Sequence, residues 1–230
     1  MEGLVALVGS GEYLPTMRPL EQQLLENRPP RFVQIATAAV PDGEERLAYW
    51  HELGRTQAEA LGVTCVIATV TNRDEANDPQ FADLVRGAGL IYLSGGHPGF
   101  LADVLRDTLL WRNIVAEWHS GTSLAGCSAG AMALCSWVPS LRHPFDSGVR
   151  GLGLFPTLRV IPHFDAFYQR VPSIVDRFIH GKDESVSLIG IDEETAIVGG
   201  PQTWKVEGRG SAWRLDGDRV EFPTGTTLSI

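Results

Sequence analysis

Residues 126–130 read Gly126-Cys127-Ser128-Ala129-Gly130, a G-x-S-x-G pattern that sets a cysteine and a serine side by side. Bracketing glycines allow a turn too tight for Cβ atoms, and such a turn lifts its central side chain above a sheet while the next residues open a helix. The central residue is Ser128. Cys127 falls on the last strand position before it, where side-chain alternation directs it away from Ser128 and into packing. The apolar strand pattern "TSLAGC" leads into the turn and the alanine-rich "AGAMALCSW" follows it, the context a serine nucleophile of this kind requires.

A serine hydroxyl is a poor nucleophile until a base takes its proton, usually a histidine held by a carboxylate. Six histidines are present. His51 and His119 lie in helical patterns, His119 just before a glycine stop where a cation suits the helix dipole. His180 ends another amphipathic run, and His143 falls in the loop pattern "SLRHPFDSG". His163 differs: it closes the apolar stretch "LRVIPHF", after a proline that interrupts pairing, at the sheet edge expected for Ser128. It is the favoured base, with His97 as runner-up.

The orienting acid has several candidates. "LIGIDEETAIV" offers Asp192, Glu193 and Glu194 between two apolar strand segments, and Asp146 competes from the loop between Ser128 and His163. An α/β-hydrolase runs serine, acid, histidine along the chain. With no histidine beyond His180 there is little room for that order with a late acid, so a different fold family is indicated.

Short β-branched runs at 4–8, 31–37, 63–70, 90–94, 122–127 and 158–164 predict buried strands. Amphipathic stretches between the first five, such as 44–62 and 99–121, predict helices. This alternation implies an α/β fold: a mainly parallel sheet sandwiched by helices. The tail adds antiparallel C-terminal strands, with a hairpin expected around Asp216-Gly217-Asp218. Ligands of such sheets gather at the carboxyl ends of the strands, where "VGSGEY", "LSGGHPGF" and "GCSAGAM" fall. The first lacks both the dinucleotide spacing and the P-loop lysine, so it is expected to be a tight strand exit with a structural role. No repeat or linker divides residues 1–230, and a single domain is expected.

Bulk properties narrow the function classes. The chain has 230 residues, 43 % hydrophobic and 20 % charged, an ordinary globular composition. A net charge of −9 without a basic cluster argues against nucleic acid and anionic membranes as partners. No apolar run is long enough to span a bilayer, and "MEGLVALVGSGEYLP" begins with an acid where a secretory signal carries basic residues. Three cysteines without a C-x-x-C pair indicate neither a disulfide framework nor a zinc site, so a reducing cytoplasm and no metal are expected.

Four segments, "LIYLSGGHPGFLADVL", "GCSAGAMAL", "GLGLFPTLRVIPHFD" and "GIDEETAIV", in matching order over roughly residues 4 to 200, resemble peptidase family S51, which contains dipeptidase E and cyanophycinase. The resemblance implies a fold similar to the class I glutamine amidotransferase domain, with serine at the turn where those enzymes have cysteine. It implies Ser128 as nucleophile, His163 as base and an acid in the "IDEE" segment, where the pattern favours Glu193 and leaves Asp146 as second choice. The oxyanion hole carries over as the backbone N–H of Ala129 with that of Gly96 or Gly95. No cofactor is implied, and the substrate class is small peptides, aspartyl peptides or isopeptides among them.

This chain departs from the family at His97-Pro98, which stand where the dipeptidase branch has asparagine and the cyanophycinase branch an aspartate-glutamine pair. Different substrate recognition follows if that position touches the substrate. Arg170 and Arg177 are candidate partners for a substrate carboxylate, against the plainer reading of solvated helix positions. An amidase or glutaminase-like enzyme, favoured if Cys127 were the nucleophile, and a binding protein without turnover are the alternative functions. Oligomeric state, a homodimer included, is left open.

Overall fold

The computed structural model describes residues 2–138, 148–166, 185–200 and 202–230. His143, Asp146, Arg170, Arg177 and His180 lie outside the described residues. Five strands form the parallel part of the main sheet: β1 (Val5–Val8), β2 (Arg31–Ile35), β3 (Thr64–Ile67), β4 (Leu90–Leu93) and β5 (Ser123–Cys127). β1, β4 and β5 are buried at every position, which is why they read as unbroken small and apolar runs rather than as alternating ones.

Alternation reappears in where the side chains go. Val5, Leu7, Val33, Ile35, Ile91, Leu93 and Leu124 belong to one core layer, and Ala6, Val8, Phe32, Leu90, Tyr92, Ala125 and Cys127 to the other. Helices α1 (Arg18–Leu25) and α2 (Glu44–Leu61) cover the second layer through Leu20, Leu24 and Ala58. The first is covered by α3 (Arg73–Asn77), α4 (Pro79–Ala82), α5 (Pro98–Leu105), α6 (Leu109–His119) and α7 (Ala129–Leu134). The stretch expected as one helix over 99–121 is two, because Asp107 takes a positive φ of 63° and Thr108 then caps α6 by accepting the Trp111 N–H.

Two short strands, β6 (Trp137–Val138) and β7 (Val149–Arg150), pair with each other. A second sheet follows, and here the structure departs from the expected single sheet. β8 (Leu158–Ile161) pairs in parallel with β9 (Ser187–Ile191), not with β5. The chain then crosses over. β10 (Thr195–Gly199) joins the main sheet antiparallel to β1, and β11 (Thr203–Gly208) extends that edge. β12 (Ser211–Arg214) returns to the second sheet beside β9 and pairs with β13 (Val220–Pro223) through the expected hairpin, where Gly217 has φ 76°. β14 (Thr227–Ser229) closes the main sheet against β11, giving the order β14-β11-β10-β1-β5-β4-β2-β3. The antiparallel tail is therefore shared between two sheets, and the Asp192-Glu193-Glu194 turn is the bridge from one to the other.

Candidate active site

Ser128 sits between β5 and α7 with φ 49° and ψ −105°, a backbone conformation that side chains rarely adopt. Two close approaches fix this turn. A Cβ on Gly126 would lie 2.6 Å from the carbonyl carbon of Gly130, and one on Gly130 would lie 2.3 Å from the Leu93 carbonyl oxygen. The glycines therefore let α7 press against both β5 and the end of β4, while the Ser128 N–H is anchored on the Val8 carbonyl at 2.9 Å.

His163 follows β8 by two residues, also with a positive φ, 51°. Its Nε2 lies 3.1 Å from Ser128 Oγ, and its Nδ1 lies 2.9 Å from Glu193 Oε1. A proton on Nδ1 donated to the carboxylate leaves the Nε2 lone pair facing the hydroxyl, the tautomer that general-base action needs. Glu193 is steadied in turn, since its N–H donates to Asp165 Oδ1 at 3.0 Å. Of the six described non-glycine residues with positive φ, Ser128 and His163 belong to this hydrogen-bonded chain and Glu194 directly follows Glu193. Such conformations persist where surrounding contacts over-determine them.

The neighbouring acids have other partners. Asp192 accepts the Ser211 N–H and the Trp213 indole N–H, both at 2.9 Å, and its burial raises its carboxyl above the ordinary range. Glu194 accepts the Thr16 hydroxyl at 2.5 Å and pairs with Arg209 at 3.3 Å. His97 Nε2 contacts Asp42 Oδ1 at 2.7 Å instead of the serine. His51 is buried in α2, and His119 pairs with Glu2 at 3.0 Å. Cys127 is fully buried in the layer beneath the turn, where its thiol donates to Glu12 Oε2 at 2.6 Å. Burial first, and the Glu12 charge second, push that thiol well above its ordinary value, so the thiolate an attacking cysteine requires is disfavoured.

The paired glycines after β4 differ from each other. Gly95 is buried and its N–H donates to Glu12 Oε1 at 2.8 Å. Gly96 is exposed, with φ 136°, and neither its N–H nor that of Ala129 has an acceptor among the described residues. A Cβ at Gly96 would lie 2.3 Å from the Ala38 carbonyl oxygen, so only glycine fits there. Sequence reasoning missed Glu12 and Asp165. The signal for Glu12 was slight: an acid inside the glycine-rich exit of a buried strand, at the carboxyl edge of the sheet.

The model of peptidase family S51 matches residues 4–204. The chain belongs to peptidase family S51. It is thus a serine-type peptidase, a hydrolase. The S51 chain is similar to the crystal structure of a peptidase from an acI-B1 Actinobacterium, at 40 % identity and TM-score 0.91, covering 100 % of this chain and 98 % of that one. It also shares its fold with a protein from Listeria monocytogenes EGD-e assigned as a peptidase E, at 19 % identity and TM-score 0.63, covering 98 % of this chain and 100 % of that one. A search of curated proteins returns no match. Among the described residues, no helix is long and apolar enough to cross a membrane, and no group of three or more histidine, cysteine, aspartate or glutamate residues is arranged to hold a metal ion.

Proposed function

We propose that this S51 peptidase hydrolyses a peptide or isopeptide bond of a small peptide, aspartyl peptides among the candidates, through an acyl-enzyme on Ser128. His163 is the base and Glu193 the carboxylate that orients it. One observation carries the reading: the unbroken chain from Glu193 Oε1 to His163 Nδ1, at 2.9 Å, and from His163 Nε2 to Ser128 Oγ, at 3.1 Å.

In the first half-reaction His163 Nε2 takes the Ser128 proton as Oγ attacks the carbonyl carbon, and the carbonyl π pair moves onto oxygen. Glu193 stabilises the imidazolium without taking its proton. Collapse of the tetrahedral intermediate re-forms the carbonyl and breaks the C–N bond, while the imidazolium gives its proton to the leaving amine. Water then attacks the ester by the same route, releases the acid and returns the proton to Ser128. The N–H groups of Gly96 and Ala129, without an acceptor among the described residues, receive the oxyanion, and removing one such donor costs about 3 to 4 kcal/mol in the transition state. Gly95 is set aside as a donor because Glu12 already occupies its N–H. Serine, imidazole and carboxylate suffice for this scheme, which calls on no metal or cofactor. The three cysteines are free thiols, in keeping with action in a reducing cytoplasm.

The test has two parts. A fluorophosphonate should label the wild type and Cys127→Ala but not Ser128→Ala; labelling retained in Ser128→Ala overturns the assigned nucleophile. A dipeptide library that includes Asp-X and β-aspartyl members should then contain cleaved substrates, and cleavage confined to longer chains overturns the substrate class.

A further inference from the structure

The loop after β1 does more than leave the sheet. Glu12 is 8 % exposed, yet it carries a carboxylate whose two oxygens face different strands. Oε1 accepts the N–H of Gly95, the residue before Gly96, at 2.8 Å. Oε2 accepts the thiol proton of Cys127, the residue before Ser128, at 2.6 Å. Next to it, the Gln34 amide donates to the Tyr13 hydroxyl at 3.0 Å, and that hydroxyl lies 2.7 Å from Ser94 Oγ. Two consecutive residues, Glu12 and Tyr13, thus grip two consecutive residues at the end of β4, and Glu12 alone also reaches β5. Tyr13 adopts φ 67° to make this possible, a conformation a non-glycine side chain holds only when its contacts outweigh the strain.

A buried carboxylate is costly unless it is fully hydrogen-bonded, and a core built only for packing would place an apolar side chain here. What distinguishes this position is what it joins. The attacking oxygen and one oxyanion donor come from different strands, and their separation must hold to within a fraction of an ångström for both to act on one carbonyl. Gly95 would bring a Cβ 3.5 Å from the Ser128 Cβ, so the two loops are already in near contact at this point.

We propose that Glu12 is a positioning residue for the reaction: its carboxylate cross-links the β4 and β5 exits and sets the distance between the Gly96 N–H and Ser128 Oγ. It touches neither substrate nor the transferred proton. The inference rests on the assignment of Ser128 and Gly96 given above.

The test compares the second-order rate at which a fluorophosphonate labels Ser128 in the wild type, Glu12→Ala and Glu12→Gln. Its phosphoryl oxygen enters the oxyanion hole, so a misplaced donor slows labelling. Glu12→Ala is expected to label about 100-fold more slowly, the cost of roughly an ångström of misplacement. Glutamine keeps an oxygen for the Gly95 N–H, so Glu12→Gln should recover at least about tenfold of that loss. On a dipeptide from the library the Glu12→Ala loss should fall in kcat with KM within about twofold, because the oxyanion contact forms only in the transition state. A Glu12→Ala rate within about threefold of wild type, or a glutamine variant no better than alanine, overturns the proposal. Should the alanine chain not fold, Glu12→Asp replaces it. Its carboxylate is one methylene short of Gly95, so slow labelling supports the cross-link and a wild-type rate overturns it. Labelling that survives Ser128→Ala instead removes the nucleophile assignment, a different result from Ser128-dependent labelling that ignores Glu12.

Discussion

His163 Nε2 lies 3.1 Å from Ser128 Oγ although the strands that deliver the two residues belong to different sheets. β5 ends in the main sheet and β8 runs in the second, so the pair is assembled where the two sheets meet. Glu193 occupies the turn by which the chain crosses from β9 in the second sheet to β10 in the main one. Each group of the proposed triad therefore stands at an end of regular structure, where a backbone can hold an unusual dihedral without breaking a ladder.

Glu193 and Glu194 are adjacent carboxylates, but only the first is expected to matter for turnover. Glu193→Gln keeps the shape but removes the charge that stabilises the imidazolium, and kcat/KM should fall about 10²- to 10⁴-fold. Glu194→Gln should leave kcat/KM within about twofold, because its partners are the exposed Thr16 and Arg209 and not the His163 imidazole. Steady-state kinetics on a library substrate measures both, and equal losses in the two variants would remove Glu193 from the triad.

Asp192 is expected to act on stability instead. Replacing it with alanine strands the Ser211 N–H and the Trp213 indole N–H at the sheet crossing, each costing about 1 to 3 kcal/mol. Urea unfolding of Asp192→Ala should show a lowered midpoint, while the fraction that remains folded labels with fluorophosphonate at the wild-type rate. A normal midpoint with slow labelling would instead give Asp192 a part in catalysis.

His97, the alternative base from sequence, contacts Asp42 at 2.7 Å and not Ser128. His97→Ala should therefore keep Ser128 labelling within about threefold of wild type. Because His97 directly follows Gly96 and is partly exposed, the same change should alter the ranking of dipeptides in the library. Loss of all labelling would mean that the histidine takes part in proton transfer.

How far the sequence could be read depended on how local each signal was. The turn at Ser128 was legible because glycine contacts and the strand-to-helix change lie within a few residues. Alternation along β5 placed Cys127 in the opposite layer for the same reason. His163 was legible from the proline and the end of an apolar run, but its sheet was not. Parallel pairing of β8 with β9 joins segments whose runs look like any other buried strand, so nothing nearby records the partner. Glu193 stood apart from Asp192 and Glu194 only through resemblance to the family, since three adjacent acids differ by which way the turn points them. Glu12 was missed because its partners are a backbone N–H and a thiol, 83 and 115 residues away.

Stability should depend on pH through Glu21, a carboxylate 1 % exposed on the buried face of α1 that accepts a hydrogen bond from the Gln57 amide. Burial, outweighing the amide, pushes its carboxyl from the ordinary 4.5 up to about 7. Between those values the folded chain holds a proton that the unfolded chain has released, so raising the pH through this interval weakens the fold. The contribution amounts to ~3 kcal/mol lost by pH 8 relative to pH 4, at about 1.4 kcal/mol per pH unit. His51 acts the other way. Burial lowers its imidazole below 6.5, so acid favours the unfolded chain there. Glu21→Gln isolates the first effect: the stability difference between wild type and variant, from urea unfolding at pH 5 and pH 8, should move in favour of the variant as the pH rises. A difference that stays constant over that range would mean that Glu21 does not titrate in the folded protein as its burial requires.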